Sequence, residues 1–308
     1  MMESLLAFVG ELMKPLHISG NSKEIYRGTL RILLVLHHDF PEFLAENHWR
    51  LCNATPAHCT QIRNLILSAY PSSFPELPDP FTAGLKVDRI MEIRQPPAIV
   101  GDYEAPIRRA GIKEAIDLAL SGQKLDEQVT SIIRAVYDAS NPSTGVGYTP
   151  ITVDEALLTS LVLYIGNDAV GVVESRGGPT FVPDAPHADL LRALVQELKP
   201  EGRYYLLSVL ANQLRYPNSH THYFSYALLF LFGMDPNDQM ESDVRQQITR
   251  VLLERLIVHR PHPWGLIITL LELLKNPSYM FWDLPFIKAA PEARHLCSTF
   301  MVNPDRII

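Results

Sequence analysis

The sequence predicts an all-α protein, a HEAT-like solenoid of helical hairpins with one proline-rich irregular segment packed on it. Three observations lead there. Apolar residues recur at helical spacing almost throughout, no stretch alternates convincingly as a strand, and helix-length runs are joined by short turns. The 308 residues are 47% hydrophobic and 20% charged, enough apolar material for an extended core and too much for a disordered chain. One all-helical domain over 1–308 is expected, and a doubled Met leading straight into amphipathic sequence suggests an excised fragment of a longer chain.

The first helix signal is Asn21-Ser-Lys-Glu24, which has the form of a capping box; Ile25, Leu33 and Leu36 follow on one face. Thr55-Pro56 reads as a second start, with proline at the first helical position and Pro71 as the stop. Thr152-Val-Asp-Glu155 repeats the capping pattern before "ALLTSLVLYIGNDAVGVV". The β-prone "VLYIG" lies inside that period and goes with the helix. Further helices are expected at 107–120, 124–138, 187–199, 201–216, 221–233, 241–259, 263–275 and 284–301.

Residues 71–106 break the rhythm. Six prolines between Pro71 and Pro97 forbid a long helix. Phe74, Leu77, Phe81, Leu85, Val87 and Ile90 are too apolar for a solvated linker, so the segment is expected to lie on a helical surface. Residues 139–151 and 175–186 read as exposed loops.

The net charge of −7 has the wrong sign for a surface that grips phosphate throughout. Arg245, Arg250, Arg255 and Arg260 fall five apart, and each turns about 140° from the last, so they scatter round the helix rather than form a ridge. Glu254 is placed to pair with Arg250. Contact with RNA is expected to be at most indirect. Cys52, Cys59 and Cys297 are odd in number and too sparse for a disulfide framework, which suits reduced thiols in an intracellular protein. "SLLAFVG" at 4–10 lacks the basic lead of a signal peptide, and the apolar run Tyr223–Met234 falls short of a membrane span.

No motif for catalysis is present: no Walker loop, no G-x-S-x-G, no H-E-x-x-H, and Gly145-x-Gly147 lacks a strand and a third glycine. Asp39 and Glu42 flank a proline at a helix corner and read as a solvated cap. The strongest metal candidate is His220-x-His222, which would need His259 or His262 as a further donor. On a helix, residues two apart diverge by about 200°. Pro217 ends one helix, and Asn218, Ser219 or Thr221 can cap the next, so the favoured reading is a structural corner made of Pro217, Asn218, His220 and His222. "VHRPHPWG" has the same character, with Pro261, His262 and Pro263 forming a rigid turn before Trp264. No catalytic residue, metal or cofactor is assigned. A His-dependent metal hydrolase and a direct RNA-binding module are the rival classes.

Several strings together resemble a known family: "HDFPEFL" (38–44), "QIRNLILSAYP" (61–71), "LPDPFTAGLKVD" (77–88), "EGRYYLL" with "ANQLRYPNSHTHYF" (201–224), "QITRVLLERLIVHRPHPWGLIIT" (247–269) and "ELLKNPSYMFW" (272–282). They are similar to the C-terminal superfamily-homology domain of the large Not scaffold subunit of the CCR–NOT mRNA deadenylase complex. The likeness covers about 25–300 and is weakest over 99–150. It implies a non-catalytic HEAT-like domain, cytoplasmic and nuclear, that holds the heterodimer of the two Not-box subunits through their extended N-terminal segments. Nanos-type translational repressors are further implied partners. It thereby implies roles in mRNA deadenylation, mRNA decay and translational repression.

Physical reasoning adds a candidate partner surface. Pro78, Pro80 and Phe81 form a stiff apolar strip, and Tyr216, Tyr223, Arg260 and Trp264 lie at helix ends. Extended segments lose much entropy on ordering and favour rigid, aromatic surfaces.

Overall fold

The computed structural model describes residues 1–138, 153–234 and 239–302. It is all-α, and no strand occurs among the described residues. The loop expected at 139–151, with Gly145 and Gly147, lies outside them, as does Thr152. The described residues pack into two compact units. The first comprises Met1–Val100, Asn212–Ser225 and the chain from Thr249; the second comprises Gly101–Ala211 and Tyr226–Ile248.

The first unit opens with α1 (Met2–Leu12) and α2 (Gly20–Asp39), which pack on each other. The cap of α2 is Ser19, whose hydroxyl accepts the Ser22 N–H at 3.1 Å. The expected box at Asn21 therefore sits two residues too late. Of the face read from the sequence, Leu33 is buried and Leu36 half-buried, while Ile25 is exposed.

Two short helices, α3 (Pro41–Glu46) and α4 (His48–Asn53), lead to α5 (Thr60–Leu67). The start expected at Thr55-Pro56 is a turn instead, because the Thr55 hydroxyl donates back to Leu51 O (2.7 Å) and closes the preceding helix. Leu33, Leu44, Leu51, Ile62 and Ile66 meet in one core.

In the second unit the helix expected at 107–120 is two, α6 (Ala105–Ala110) and α7 (Lys113–Leu120). Gly111 ends the first in the left-handed region at φ 68°, where a side chain would be strained. The expected 124–138 helix is α8 (Leu125–Asp138). Next comes α9 (Glu155–Arg176), capped by Asp154, whose carboxylate accepts the Leu157 N–H at 2.8 Å.

Although α9 is long and apolar enough to cross a membrane, most of it is buried. It packs on α6 and on α11 (Pro200–Ala211). Apolar residues run all round it, as in a core helix. α10 (Pro186–Glu197) packs on α7, α8 and α11.

α12 (Ser219–Phe232) and α13 (Gln239–Leu256) each supply residues to both units. In the first unit α14 (Trp264–Lys275) follows, and the helix expected at 284–301 is divided into α15 (Pro285–Ala289) and α16 (Pro291–Val302). Pro291 cannot continue α15.

Segment 71–106 behaves as expected up to residue 104. It has no α-helix, only single 3-10 turns at Val87–Arg89 and Met91–Arg94, until α6 begins at Ala105. Within the first unit Ile93 is fully buried.

Candidate functional site

Every residue from 209 to 224 is buried, so the "LRYPNSHTHYF" stretch is core rather than surface. Its turn is built by local capping. Asn218 Oδ1 accepts the Thr221 N–H (2.9 Å), and its amide donates to Tyr216 O (2.7 Å). The Thr221 hydroxyl accepts the Arg215 N–H (3.1 Å) and lies within reach of Gln213 O (3.0 Å) and Tyr216 O (2.8 Å). The N–H of Ser219 donates to Gln95 O at 2.9 Å, fastening the proline-rich segment to the start of α12. Asn218 is thus the cap among the three residues expected to serve.

Both histidines lie in the first turn of α12, on the helix rather than in the turn before it. His222 Nε2 meets Asp88 Oδ1 at 2.8 Å, a tie from α12 to the proline-rich segment. Burial lowers its pKa, while the Asp88 carboxylate opposes that. His220 is fully buried, edge-on to Phe224 with ring centroids 6.0 Å apart. Burial, then the Arg215 charge, lower its pKa to about 3. It is a neutral imidazole in the fold.

His259 is exposed, and its carbonyl accepts from Gln61 Nε2 (2.9 Å). His262 Nε2 bonds Val258 O (2.8 Å). The four histidines serve separate contacts. Among the described residues no three His, Cys, Asp or Glu side chains converge as a metal would require.

The second corner runs from the end of α13 to Pro263, which precedes α14, and includes a cis Arg260–Pro261 bond. Trp264 is 5% exposed and donates from Nε1 to Pro78 O at 2.8 Å. Behind it Gly265 donates its N–H to Arg215 O (2.7 Å). A Cβ on Gly265 would fall 2.4 Å from Thr221 Cγ2 and 2.9 Å from the Leu214 carbonyl carbon. Glycine is what lets α14 approach the turn.

Of the residues expected to meet a partner, Tyr216, Tyr223 and Trp264 are core residues. Tyr216 stacks edge-on against Phe74 (5.5 Å) and Tyr223 against Phe224 (5.0 Å). Pro78, Pro80 and Phe81 are half-buried and Arg260 is exposed. Phe81 leans edge-on on Phe300 at 5.4 Å. The surface expectation narrows to the strip and Arg260.

The remaining candidates fall where spacing put them. Arg250 pairs with Glu254 (2.6 Å) at the surface. Arg245 is buried and donates to Phe232 O (2.7 Å), and Arg255 is buried too. The four arginines form no shared basic face. Glu42, in the first turn of α3, accepts from the Ser72 N–H (2.7 Å) and hydroxyl (2.5 Å), while Asp39 pairs with His38 (2.7 Å). All three cysteines are free and buried.

Sequence reasoning missed the polar contacts beneath the turn. Arg215 Nη1 donates to Ala45 O (2.7 Å), Asn64 Nδ2 to Arg255 O (2.6 Å), and Arg63 to Thr55 O (2.6 Å). Each joins residues distant in the chain or breaks the rule that arginine is exposed, and no local pattern announces them.

Residues 1–301 match the family described as "CCR4-Not complex component, Not1". The chain belongs to the Not1 family. It is 39% identical over 297 residues to the CCR4-NOT transcription complex subunit let-711 of Caenorhabditis elegans, covering 95% of this chain and 11% of that protein. It is 38% identical over 281 residues to the general negative regulator of transcription subunit 1 of Schizosaccharomyces pombe, covering 90% and 13%. The chain therefore spans about one eighth of these relatives' length.

Two solved Not1 structures resemble it. The NOT1 superfamily homology domain from Chaetomium thermophilum is 43% identical with a TM-score of 0.91, over 98% of this chain and 59% of that one. A Not1 C-terminal domain in complex with Not4 is 29% identical with a TM-score of 0.81, over 96% and 57%. The family resemblance read from residues 25–300 is the one these matches give, and the all-helical fold agrees with it.

Proposed function

We propose that this chain is a non-catalytic scaffold domain of the CCR4-NOT complex, docking other subunits and so supporting mRNA deadenylation, mRNA decay and translational repression. The observation that carries the reading is the Not1 match over residues 1–301, together with a relative solved as a complex with Not4. The one histidine pair that suggested a metal centre is divided between a core contact at Phe224 and a tie to Asp88.

The partners in this reading are the two Not-box subunits, held as a heterodimer through extended N-terminal segments. Nanos-type repressors are further partners, RNA is touched at most indirectly, and the work is done in cytoplasm and nucleus. The half-buried strip Pro78–Phe81 is the proposed contact, because it is stiff, apolar and fixed from beneath by Trp264. The test is co-purification of the 308-residue chain with the N-terminal segments of both Not-box subunits. Co-elution as one stoichiometric species is expected, and separate elution at micromolar concentrations overturns the proposal.

A further inference from the structure

Arg215 is 0% exposed, yet it has no acidic partner among the described residues. Its Nη1 donates to Ala45 O at 2.7 Å, and its guanidinium carbon lies 5.4 Å from the centre of the Tyr216 ring. Its Nε and Nη2 atoms are both buried and meet no acceptor. Those two N–H groups form one edge of the planar guanidinium, the parallel fork that takes a carboxylate or another anion side-on. A buried fork without an acceptor demands an explanation, since buried donors are almost always satisfied.

The surroundings intensify the demand. Arg63 and Arg255, 6% and 3% exposed, both donate to Asn212 Oδ1, at 3.5 and 2.8 Å. Arg63 also donates to Thr55 O, and it too forms no ion pair among the described residues. Three guanidinium groups thus act on one small volume, and the charges of all three bear on the Cys52 thiol. That thiol does not supply the missing negative charge: burial pushes its pKa up and keeps it protonated. Nor does a histidine absorb the excess. Burial first, and the Arg215 charge after it, push His48 and His220 down into their neutral forms. A buried charge without a counter-charge is costly, and for Arg215 the remedy is a buried anion.

We infer that the Nε/Nη2 edge of Arg215 is the seat of a small monovalent inorganic anion of the halide class, bound inside the first unit beneath the 212–218 turn. Halide is the class that fits. Both nitrogens are fully buried, which shuts out a bulky organic carboxylate, and a single charge balances Arg215 without a second basic fork. The bound ion would complete the hydrogen bonding of the residue whose other nitrogen holds Ala45 and whose carbonyl holds Gly265. Halide binding and stability of the first unit are then linked, because an ion bound only by the folded state stabilises it.

The probe is sodium chloride against sodium gluconate at matched ionic strength, read by thermal unfolding of the 308-residue chain. The melting temperature is expected to rise with chloride and not with gluconate, by roughly 2–4 °C for each tenfold increase above the dissociation constant. In R215M the chloride dependence should vanish. Equal melting curves in the two salts, or a chloride effect that survives R215M, overturns the inference. If R215M does not fold, crystals of the unaltered chain grown in sodium bromide decide the matter. An anomalous peak within hydrogen-bonding reach of Arg215 Nε and Nη2 supports the site. A water, a protein carbonyl or the Cys52 sulfur on that edge overturns it.

Discussion

The indole N–H of Trp264 donates to the carbonyl of Pro78 at 2.8 Å, joining positions 186 residues apart. The bond explains why an irregular, proline-rich segment keeps one conformation. Its own backbone bonds close only short turns, so it also takes partners from helices: Trp264 at the start of α14, Ser219 at the start of α12, and, through the Asp88 side chain, His222 one turn further on. Trp264→Phe should preserve the packing and lose the bond, costing about 1 kcal/mol. Trp264→Ala should cost about 3–5 kcal/mol through the cavity it leaves. Thermal unfolding ranks the two, and limited proteolysis should cut the alanine variant within 71–104 first.

The approach of α14 to the turn gives a second expectation. Gly265→Ala places a methyl 2.4 Å from Thr221 Cγ2 and 2.9 Å from backbone at Leu214. Overpacking of this kind costs about 1–3 kcal/mol. Thr221→Ser keeps the hydroxyl that accepts from Arg215 and removes the nearer obstacle. It should recover part of the loss in the double variant, and the backbone contact should retain the rest. Full recovery in denaturant melts would show that the backbone gives way at Leu214.

Acid should unfold the first unit partly through its histidines. The folded pKa of His220 is about 3, against an ordinary 6.5. A group depressed in the fold contributes stability that is complete above the unfolded pKa and lost as pH falls toward the folded one. His220 therefore weakens the fold progressively below pH 6.5, with a slope approaching about 1.4 kcal/mol per pH unit while only the unfolded chain binds the proton. His48 and His222, also lowered, add in the same direction. His220→Gln should flatten the stability–pH curve between roughly pH 6 and 4 by about one proton's worth. An unchanged slope, measured by urea titration at several pH values, would mean that His220 is already solvated and protonated in the fold.

What the sequence disclosed, and what it withheld, divides along chain distance. The turn at Pro217 and a cap among Asn218, Ser219 and Thr221 are readable because both act within a few residues; only the Thr221 N–H bond to Asn218 Oδ1 chooses Asn218. So is the scatter of Arg245 to Arg260, since it follows from helical pitch alone. Two local features are ambiguous in the sequence. Ser19 and Asn21 are equally good caps for α2, and only the backbone chooses between them. An isolated glycine is tolerated inside a helix, so the spacing over 107–120 does not mark a break. Only the positive φ at Gly111 reveals the break. The burial of Tyr216, Tyr223 and Trp264 depended on contacts with Phe74, Phe224 and Pro78. Two of those three lie more than a hundred positions away, and no local spacing encodes them.

Partner capture through the strip is the boldest expectation, and Phe81 is its sharpest probe. The ring is half-buried against Phe300, and the Phe81 N–H is held by Asp79 Oδ1 at 2.9 Å. Its backbone is therefore set by a contact that survives truncation of the side chain. Phe81→Ala should then cost only about 1–2 kcal/mol of stability, since part of the ring is already in water. The same change should abolish capture of the Not-box segments, because an extended segment relies on few rigid aromatic anchors. Trp264→Phe serves as the companion, altering the support under Pro78 while leaving the strip's own side chains intact; it should weaken capture mildly. Melting temperature and pull-down are read on each protein. A folded Phe81→Ala chain that binds normally sinks the strip as the contact. A chain that unfolds assigns Phe81 to the core with Trp264, and the partner surface then lies elsewhere on the domain.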